Sequence, residues 1–372
     1  MTNLFLFGTL CWPKLLQLVA GETCPERQVA VLEGFQVSWA KGHNFPAIHQ
    51  ASVSSTNGIL LLDCDARVLV RLDHYESGFG YRLNPVTVQG PTGPVDAQVY
   101  LPPKGVLAGR AWNLVDWVRD HGALASEAAV EVMVVLDHMT ASDMVQAYPM
   151  MQVRADARLK ARAHPSPLSA SGLAIDAVTV HNRKQPYTKF FALQEVDMSV
   201  PRFDGGTDER VYRTGFLGTD TSIVLPYDPV RDRVLLVEQF RFGPFLRDDP
   251  NPWLMEPIAG RVDVGESPEM AAMRETHEES GLALRALHKV HSGYASPGCS
   301  TEYFNIYVGI ADIDDAAAIL SGLEEEAEDI QGHILPFADF LSRLKSGQLP
   351  VAPLALAGYW LALNRDVLRE NS

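Results

Sequence analysis

The sequence predicts a two-domain α+β protein, and three observations predict it. The chain has 372 residues, 47% of them hydrophobic and 21% charged, which is globular and longer than one domain of ordinary size. The stretch Lys160–Gly172 (KARAHPSPLSASG) holds two prolines, three serines and no acidic residue, the composition of a linker. The patterning also changes across it, from alternating short strands and helices to runs of strands. A first domain with a helical extension is therefore expected over residues 1–159, a linker over 160–172 and a second domain over 173–372.

The elements follow in order. Asn3–Phe7 is an apolar run ending at Gly8, and Pro13 opens a helix over Lys14–Ala20. Val29–Trp39 and Gly58–Cys64 have strand patterns, and Asp65–Tyr75 has a helical one. Arg82–Val88 and Val95–Leu101 pair across a Gly-Pro-rich turn. Val106–His121, Ser126–Asp137 and Ala141–Arg162 are expected helices. Beyond the linker, strands are expected at Ala177–His181, Lys189–Val196, Val211–Gly218, Thr221–Leu225 and Arg233–Glu238, with a turn at Asp228-Pro229. Helices over Leu335–Leu344 and Pro353–Asn364 close the chain.

Charge excludes some functions. The formal net charge is -15, which disfavours nucleic acid and an anionic membrane surface as partners. Residues 1–173 carry 13 basic and 15 acidic side chains, while 174–372 carry 18 and 31, so the second half holds the excess. Either those carboxylates form a solvated surface or they are gathered to bind cations. Cys11, Cys24, Cys64 and Cys299 form neither a CxxC pair nor a zinc-finger pattern. Leu4–Ala20 is broken by Gly8, Pro13 and Lys14 and is too short to span a bilayer. A cytoplasmic protein is the expectation.

The strongest pattern is Gly260–Leu282, GRVDVGESPEMAAMRETHEESGL. Ser267-Pro268 is a helix start and Gly281 a stop. Glu275, Glu278 and Glu279 are related by i, i+3 and i+4 and share a face. Like charges at that spacing oppose the helix, and a divalent cation offsets them, Mg2+ or Mn2+ being suited to oxygen donors. Arg274 beside them can pair with one carboxylate. A glutamate run is more commonly a solvated face, but that does not account for the full spacing of Gly, Glu, Arg and three further glutamates.

This segment resembles the Nudix box, G-x5-E-x7-R-E-U-x-E-E-x-G-U with U a bulky aliphatic residue, and departs from it only at Thr276. The resemblance implies an α/β/α sandwich and metal-dependent cleavage of a nucleoside diphosphate linked to another group. From about Ala177 to Arg365 the chain is similar to bacterial ADP-ribose pyrophosphatases. It shares the strand-turn-strand Leu225–Arg241, the acidic LEEEAEDI at Leu323–Ile330 and Ser296-Pro297-Gly298, whose proline lies 16 residues after Gly281. The resemblance implies Mg2+-dependent hydrolysis of a small nucleotide sugar, ADP-ribose, to AMP and ribose 5-phosphate, with GDP-mannose as the competing substrate. It implies metal ligation by the Ala259 carbonyl, Glu275, Glu279 and Glu328, with Glu326 as base and Glu278 supporting metal or water. Glu266 would brace Arg274, and Arg213, Arg241 and Gly298 would bind substrate. Alone, the acidic loop also fits a solvated segment, and Arg241 a surface ion pair. A homodimer through this domain, exchanging a segment such as Ala177–Val200, is a further implication. A sensor that binds a nucleotide sugar without turnover is the contrasting reading.

Three short motifs mark the first domain: Phe7-Gly8-Thr9-Leu10 after the first strand, Asn44-Phe45-Pro46-Ala47-Ile48, and Leu72-Asp73-His74-Tyr75-Glu76. Gly8 permits close backbone approach, and N–H groups at such a turn can hold a carboxylate. Together, over about residues 3–105, they resemble the γ-glutamylcyclotransferase-like (AIG2-like) fold, a small β-barrel with helices, with Phe7 where that family has tyrosine. The resemblance implies that the turn Phe7–Leu10 holds a γ-glutamyl group and that Glu76 shuttles a proton. A carboxyl enclosed in a cavity suits that role. A binding or dimerising module that has kept the barrel without the reaction is the other reading. The two-domain fusion is similar to TrgB-type proteins associated with tellurite resistance, although no thiol site here speaks to that chemistry.

Overall fold

The computed structural model describes residues 2–21, 24–167, 170–315, 320–321 and 329–370. The chain divides into two compact units, Met1–Phe216 and Leu217–Ser372.

The first unit is built on β1 (Thr2–Leu6), β2 (Arg27–Ala40), β3 (Pro46–Cys64), β4 (Arg82–Gly90) and β5 (Gly93–Leu101). They pair in the order β3-β1-β5-β4-β2, and β2 pairs back onto β3, so five strands close a barrel. Only β1 and β5 run parallel among these neighbours; the others are antiparallel. Closure leaves no exposed edge among the five. The period-2 alternation of β1 assigns its faces. Phe5 packs with Ala30, Leu32, Ile48, Leu60, Val88 and Val99, drawn from the five strands, inside the barrel. Leu4 and Leu6 pack instead against the helices.

Those helices are α1 (Pro13–Ala20), α2 (Ala66–Ser77), α3 (Leu114–Trp117), α4 (Ala123–Val134) and α5 (Ala141–Ala163). Pro13 sits in the first turn of α1, where its missing N–H is harmless. Asp65 caps α2 by accepting from Val68 N, and Thr140 caps α5 by accepting from Asp143 N. The expected helix over Val106–His121 is instead a short strand, β6 (Ala108–Ala111), then α3 and a wider helical turn over Val118–Gly122. Pairing of β6 with β2 overrides the local helical pattern. The helix α5 runs on through the first residues of the expected linker.

A second sheet of β7 (Thr179–Thr188), β8 (Ala192–Pro201) and β9 (Thr207–Leu217) also goes with the first unit, so contacts divide the chain later than composition does. A buried polar knot ties it to the helices. Arg154 on α5 and Glu131 on α4 are paired at 2.6 Å, with side chains 1% and 3% exposed. Arg154 Nη1 also donates to the Phe190 carbonyl at 3.0 Å, and Gln185 Nε2 on β7 donates to Glu131 Oε1 at 2.9 Å. Arg158 Nη1 lies 3.4 Å from the second Glu131 oxygen, so both carboxylate oxygens meet a partner, which a buried charge requires.

The second unit holds β10 (Asp220–Asp228), β11 (Arg233–Phe240), α6 (Phe242–Leu246), β12 (Trp253–Glu256), β13 (Ile258–Arg261) and α7 (Pro268–Ser280). Then come β14 (Ala286–Tyr294), β15 (Tyr303–Ile310), β16 (Leu320–Ser321), β17 (Ile330–Pro336), α8 (Phe337–Lys345) and α9 (Ala352–Glu370). The sheet order is β14-β15-β10-β11-β17-β16, with β12 on β11 and β13 on β10. Alternation along β10 makes it a sandwich. Ile223, Leu225 and Tyr227 pack with Phe340, Leu354 and Leu361 of α8 and α9. Val224 between them packs with Ala272 of α7 on the opposite face. No helix among the described residues is long and apolar enough to cross a membrane.

Candidate active sites

The carboxylates of the second unit are arranged by α7. Ser267 caps the helix by accepting from Met270 N at 3.2 Å, Pro268 follows, and Gly281 ends it at φ 68°. Thr276, the departure from the box, is fully buried, and its hydroxyl donates to the Ala272 carbonyl at 2.7 Å. The side chain therefore packs into the core with its polar atom satisfied inside the helix.

Arg274 gathers the acids. Its Nε and Nη2 each lie 3.0 Å from the two oxygens of Glu266, a bidentate fork. Its Nη1 reaches Glu275 at 2.7 Å and Glu278 at 3.0 Å, and Nη2 also donates to the Arg261 carbonyl at 3.0 Å. These carboxylates, Glu266 first, hold the guanidinium pKa above its ordinary value. Glu275 lies directly over Gly260 on β13: a Cβ there would stand 1.8 Å from the Glu275 Cδ. Only a residue without a side chain fits. Glu279, one turn along from Glu275, is 4% exposed, and Ala259 precedes Gly260 on the same strand. The structure thus gathers Ala259, Glu266, Arg274, Glu275, Glu278 and Glu279 about the meeting of α7 and β13.

The remaining expected residues fall elsewhere. Arg241 follows β11, and its Nε lies 2.5 Å from Glu256 Oε1 on β12. Burial holds the Glu256 carboxyl above its ordinary pKa despite that arginine. Arg213 is exposed on β9 of the first unit. Gly298 is exposed in the loop between β14 and β15, where Ser300 N returns to the Ser296 carbonyl at 2.9 Å. Glu326 and Glu328 lie outside the described residues. Among the described residues, no group of three His, Cys, Asp or Glu side chains is close enough to hold a metal. The expected set differs from such a group, since it contains a backbone carbonyl and Glu328.

The first unit contains a cavity of about 320 Å³, and all the expected residues line it: Phe7, Gly8, Thr9, Leu10 and Glu76. The three sequence motifs meet there. A Cβ on Gly8 would stand 2.6 Å from Pro46 Cγ, so the first motif lies against the second. Tyr81 donates to the Pro46 carbonyl at 2.8 Å and Trp117 Nε1 to the Asn44 carbonyl at 2.9 Å, fixing that segment. Burial pushes the Glu76 carboxyl from 4.5 up to about 7. Sequence reasoning missed the other walls: Tyr81, Tyr100 and Trp117, and the helical His121, Tyr148 and Gln152. Tyr148 stands edge-on to Phe79, with centroids 5.0 Å apart. The spacing of Tyr148 and Gln152, i and i+4, was the only local sign that they share a helix face.

The two family models fall one in each unit, while the pyrophosphatase likeness, at 193 residues, is longer than the second unit. A family model described as NUDIX domain matches residues 218–354, and one described as gamma-glutamyl cyclotransferase, AIG2-like, matches residues 4–119. The ADP-ribose pyrophosphatase of Escherichia coli (strain K12) is 35% identical over 193 residues, 52% of this chain and 91% of that protein. That of Haemophilus influenzae is 34% identical over 187 residues, covering 50% and 86%. The GDP-mannose pyrophosphatase of Cronobacter sakazakii is 31% identical over 170 residues, covering 45% and 85%. With the box on α7 and this extent of likeness, the chain belongs to the Nudix hydrolase family through its second unit and carries an AIG2-like γ-glutamyl cyclotransferase domain in its first.

Proposed function

We propose that the second unit hydrolyses the pyrophosphate bond of ADP-ribose, with Mg2+, to AMP and ribose 5-phosphate. The observation that carries this reading is the face of α7 where Arg274 holds Glu266, Glu275 and Glu278 beside the buried Glu279. The all-oxygen donor set fits a hard divalent ion. Glu275 and Glu279 with the Ala259 carbonyl would hold it, joined by Glu328, and Mn2+ suits the same donors. When bound, the ion would neutralise phosphate charge and lower the pKa of water. Glu326 would take the proton of a water whose oxygen bonds to phosphorus as the bridging P–O bond breaks. Glu278 would orient that water, and Arg241 and Gly298 would contact substrate. ADP-ribose is preferred to GDP-mannose because likeness to the ADP-ribose enzymes is higher and longer. A sensor would have no need of the full glutamate set.

The test is AMP release by the purified full chain from ADP-ribose, with Mg2+ and with chelator. ADP-ribose left intact while GDP-mannose is cleaved overturns the substrate assignment. Gly260→Ala should lower kcat/KM by about 100-fold, because its Cβ displaces the Glu275 carboxylate. An unchanged rate in that variant would remove Glu275 from the site.

The cavity favours a second activity in the first unit, on γ-glutamyl compounds. The turn Phe7–Leu10 would hold the γ-glutamyl group. Glu76 would take a proton from its α-ammonium, whose nitrogen then bonds to the γ-carbonyl carbon. The amide C–N bond breaks, the leaving amine takes both protons shed by that nitrogen, one of them through Glu76, and departs as an ammonium, and 5-oxoproline forms. As a base Glu76 works ionised, so 5-oxoproline release should rise with pH through about 7 and level off above it. The raised pKa also means that the group's contribution to stability falls as pH rises from 4.5 toward about 7. A pH–rate profile that is flat across this range would take Glu76 out of the reaction, and binding without 5-oxoproline would leave a non-catalytic module.

A further inference from the structure

The AIG2-like match ends at residue 119, but the cavity does not. His121, Leu124, Ala125, Tyr148 and Gln152 line it from the helical segment beyond. Tyr148 and Gln152 stand one turn apart on α5, Tyr148 against Phe79, and α5 is held by the Arg154–Glu131 pair. We infer that this helical wall is a specificity subsite that accepts an uncharged, apolar group attached to the ligand and rejects an anionic one, with Tyr148 and Gln152 as its determinants. The inference rests on the γ-glutamyl reading for the other end of the ligand.

Charge and surface carry it. Among the described residues that line the cavity, none is Lys or Arg. Among those described residues Glu76 is the single carboxyl, and His121 is the one side chain that can take a positive charge, its ring edge-on to Trp39 at 5.9 Å. A second carboxylate on the ligand would be enclosed without a guanidinium or ammonium partner and near a group of like charge, which costs affinity. The walls offer aromatic faces from Phe79, Tyr81, Tyr100, Trp117 and Tyr148, which reward an apolar or aromatic group. Gln152 supplies a neutral amide that can hydrogen-bond a carbonyl or amine without demanding a charge. Rejection therefore comes from a missing cation, and a cation placed there should reverse it.

The experiment is calorimetric binding to the full chain at about pH 8. It uses a Glu76→Gln background so that nothing is turned over. The probes are γ-glutamylbenzylamide, γ-glutamylglutamate and N-acetylbenzylamine. The benzylamide should bind at least about tenfold more tightly than γ-glutamylglutamate. Gln152→Arg should narrow that ratio by about tenfold, and Gln152→Lys serves if the arginine variant fails to fold. Equal affinities, a ratio unmoved by the cation, or no binding of any probe overturns the inference. If both γ-glutamyl probes fail while N-acetylbenzylamine binds and Tyr148→Ala weakens it, the γ-glutamyl reading falls and the subsite stands.

Discussion

Glu279→Gln is expected to remove Mg2+-dependent AMP release from ADP-ribose, by at least about 100-fold in kcat, while the chain still folds. The carboxylate sits at the hinge of two requirements. Its burial, 4% exposed, means that its shape belongs to the packing around α7. Its charge belongs to the proposed cation. Glutamine keeps the first and removes the second, so rate and stability should separate. The thermal midpoint should move by no more than about 3 °C, the effect of roughly 1 kcal/mol in a unit of this size. The measurement pairs initial rates over a Mg2+ titration with calorimetric melting. Turnover within a few-fold of wild type would remove Glu279 from the ligand set, whereas a collapsed melting transition would give its charge a structural role instead.

Glu131→Gln is expected to cost the first unit about 3–5 kcal/mol, the usual penalty for stranding one member of a buried pair. The Arg154 guanidinium, 1% exposed on its side chain, would keep its charge and lose its carboxylate. Its remaining acceptor, the Phe190 carbonyl, takes one hydrogen bond and no charge. At this size the loss lowers the melting midpoint by roughly 10 °C. A double variant, Glu131→Gln with Arg154→Met, should recover part of it, because the stranded charge is gone. Losses below about 1 kcal/mol in the single variant would mean that the pair is solvated in the folded chain.

The second unit was legible where its chemistry is local. Gly260, Glu266, Arg274, Glu275, Glu278 and Glu279 lie on one strand end, one turn and one helix in unbroken sequence, so their spacing alone brings them together. The strands β12 to β15 were not anticipated, since their apolar positions are set by partners distant in sequence, such as Thr221 beside Phe304. In the first unit, Glu76 and Phe7–Leu10 were legible as motifs, and the cavity encloses both. The stretch from Pro46 to Asn57 was not read as strand, because HQASVSSTN is polar on its own and extended only through its pairing with β2. Tyr148 and Gln152 were unreadable for the same reason: nothing local says that α5 comes to line a cavity whose barrel strands end at Leu101.

The helix α5 carries two sets of contacts along one continuous helix, Pro149 included. Tyr148 and Gln152 form a wall on one side, and Arg154, two residues on, is clamped to Glu131 and the Phe190 carbonyl. Each added residue rotates everything beyond it by about 100° and advances it about 1.5 Å. An insertion or deletion between Tyr148 and Arg154 therefore cannot leave both sides in phase. Sequence can drift there, but length cannot. The stretch after Ala163 has no such constraint from the helix, and this is where descendants of the gene can grow or shrink without retuning either half.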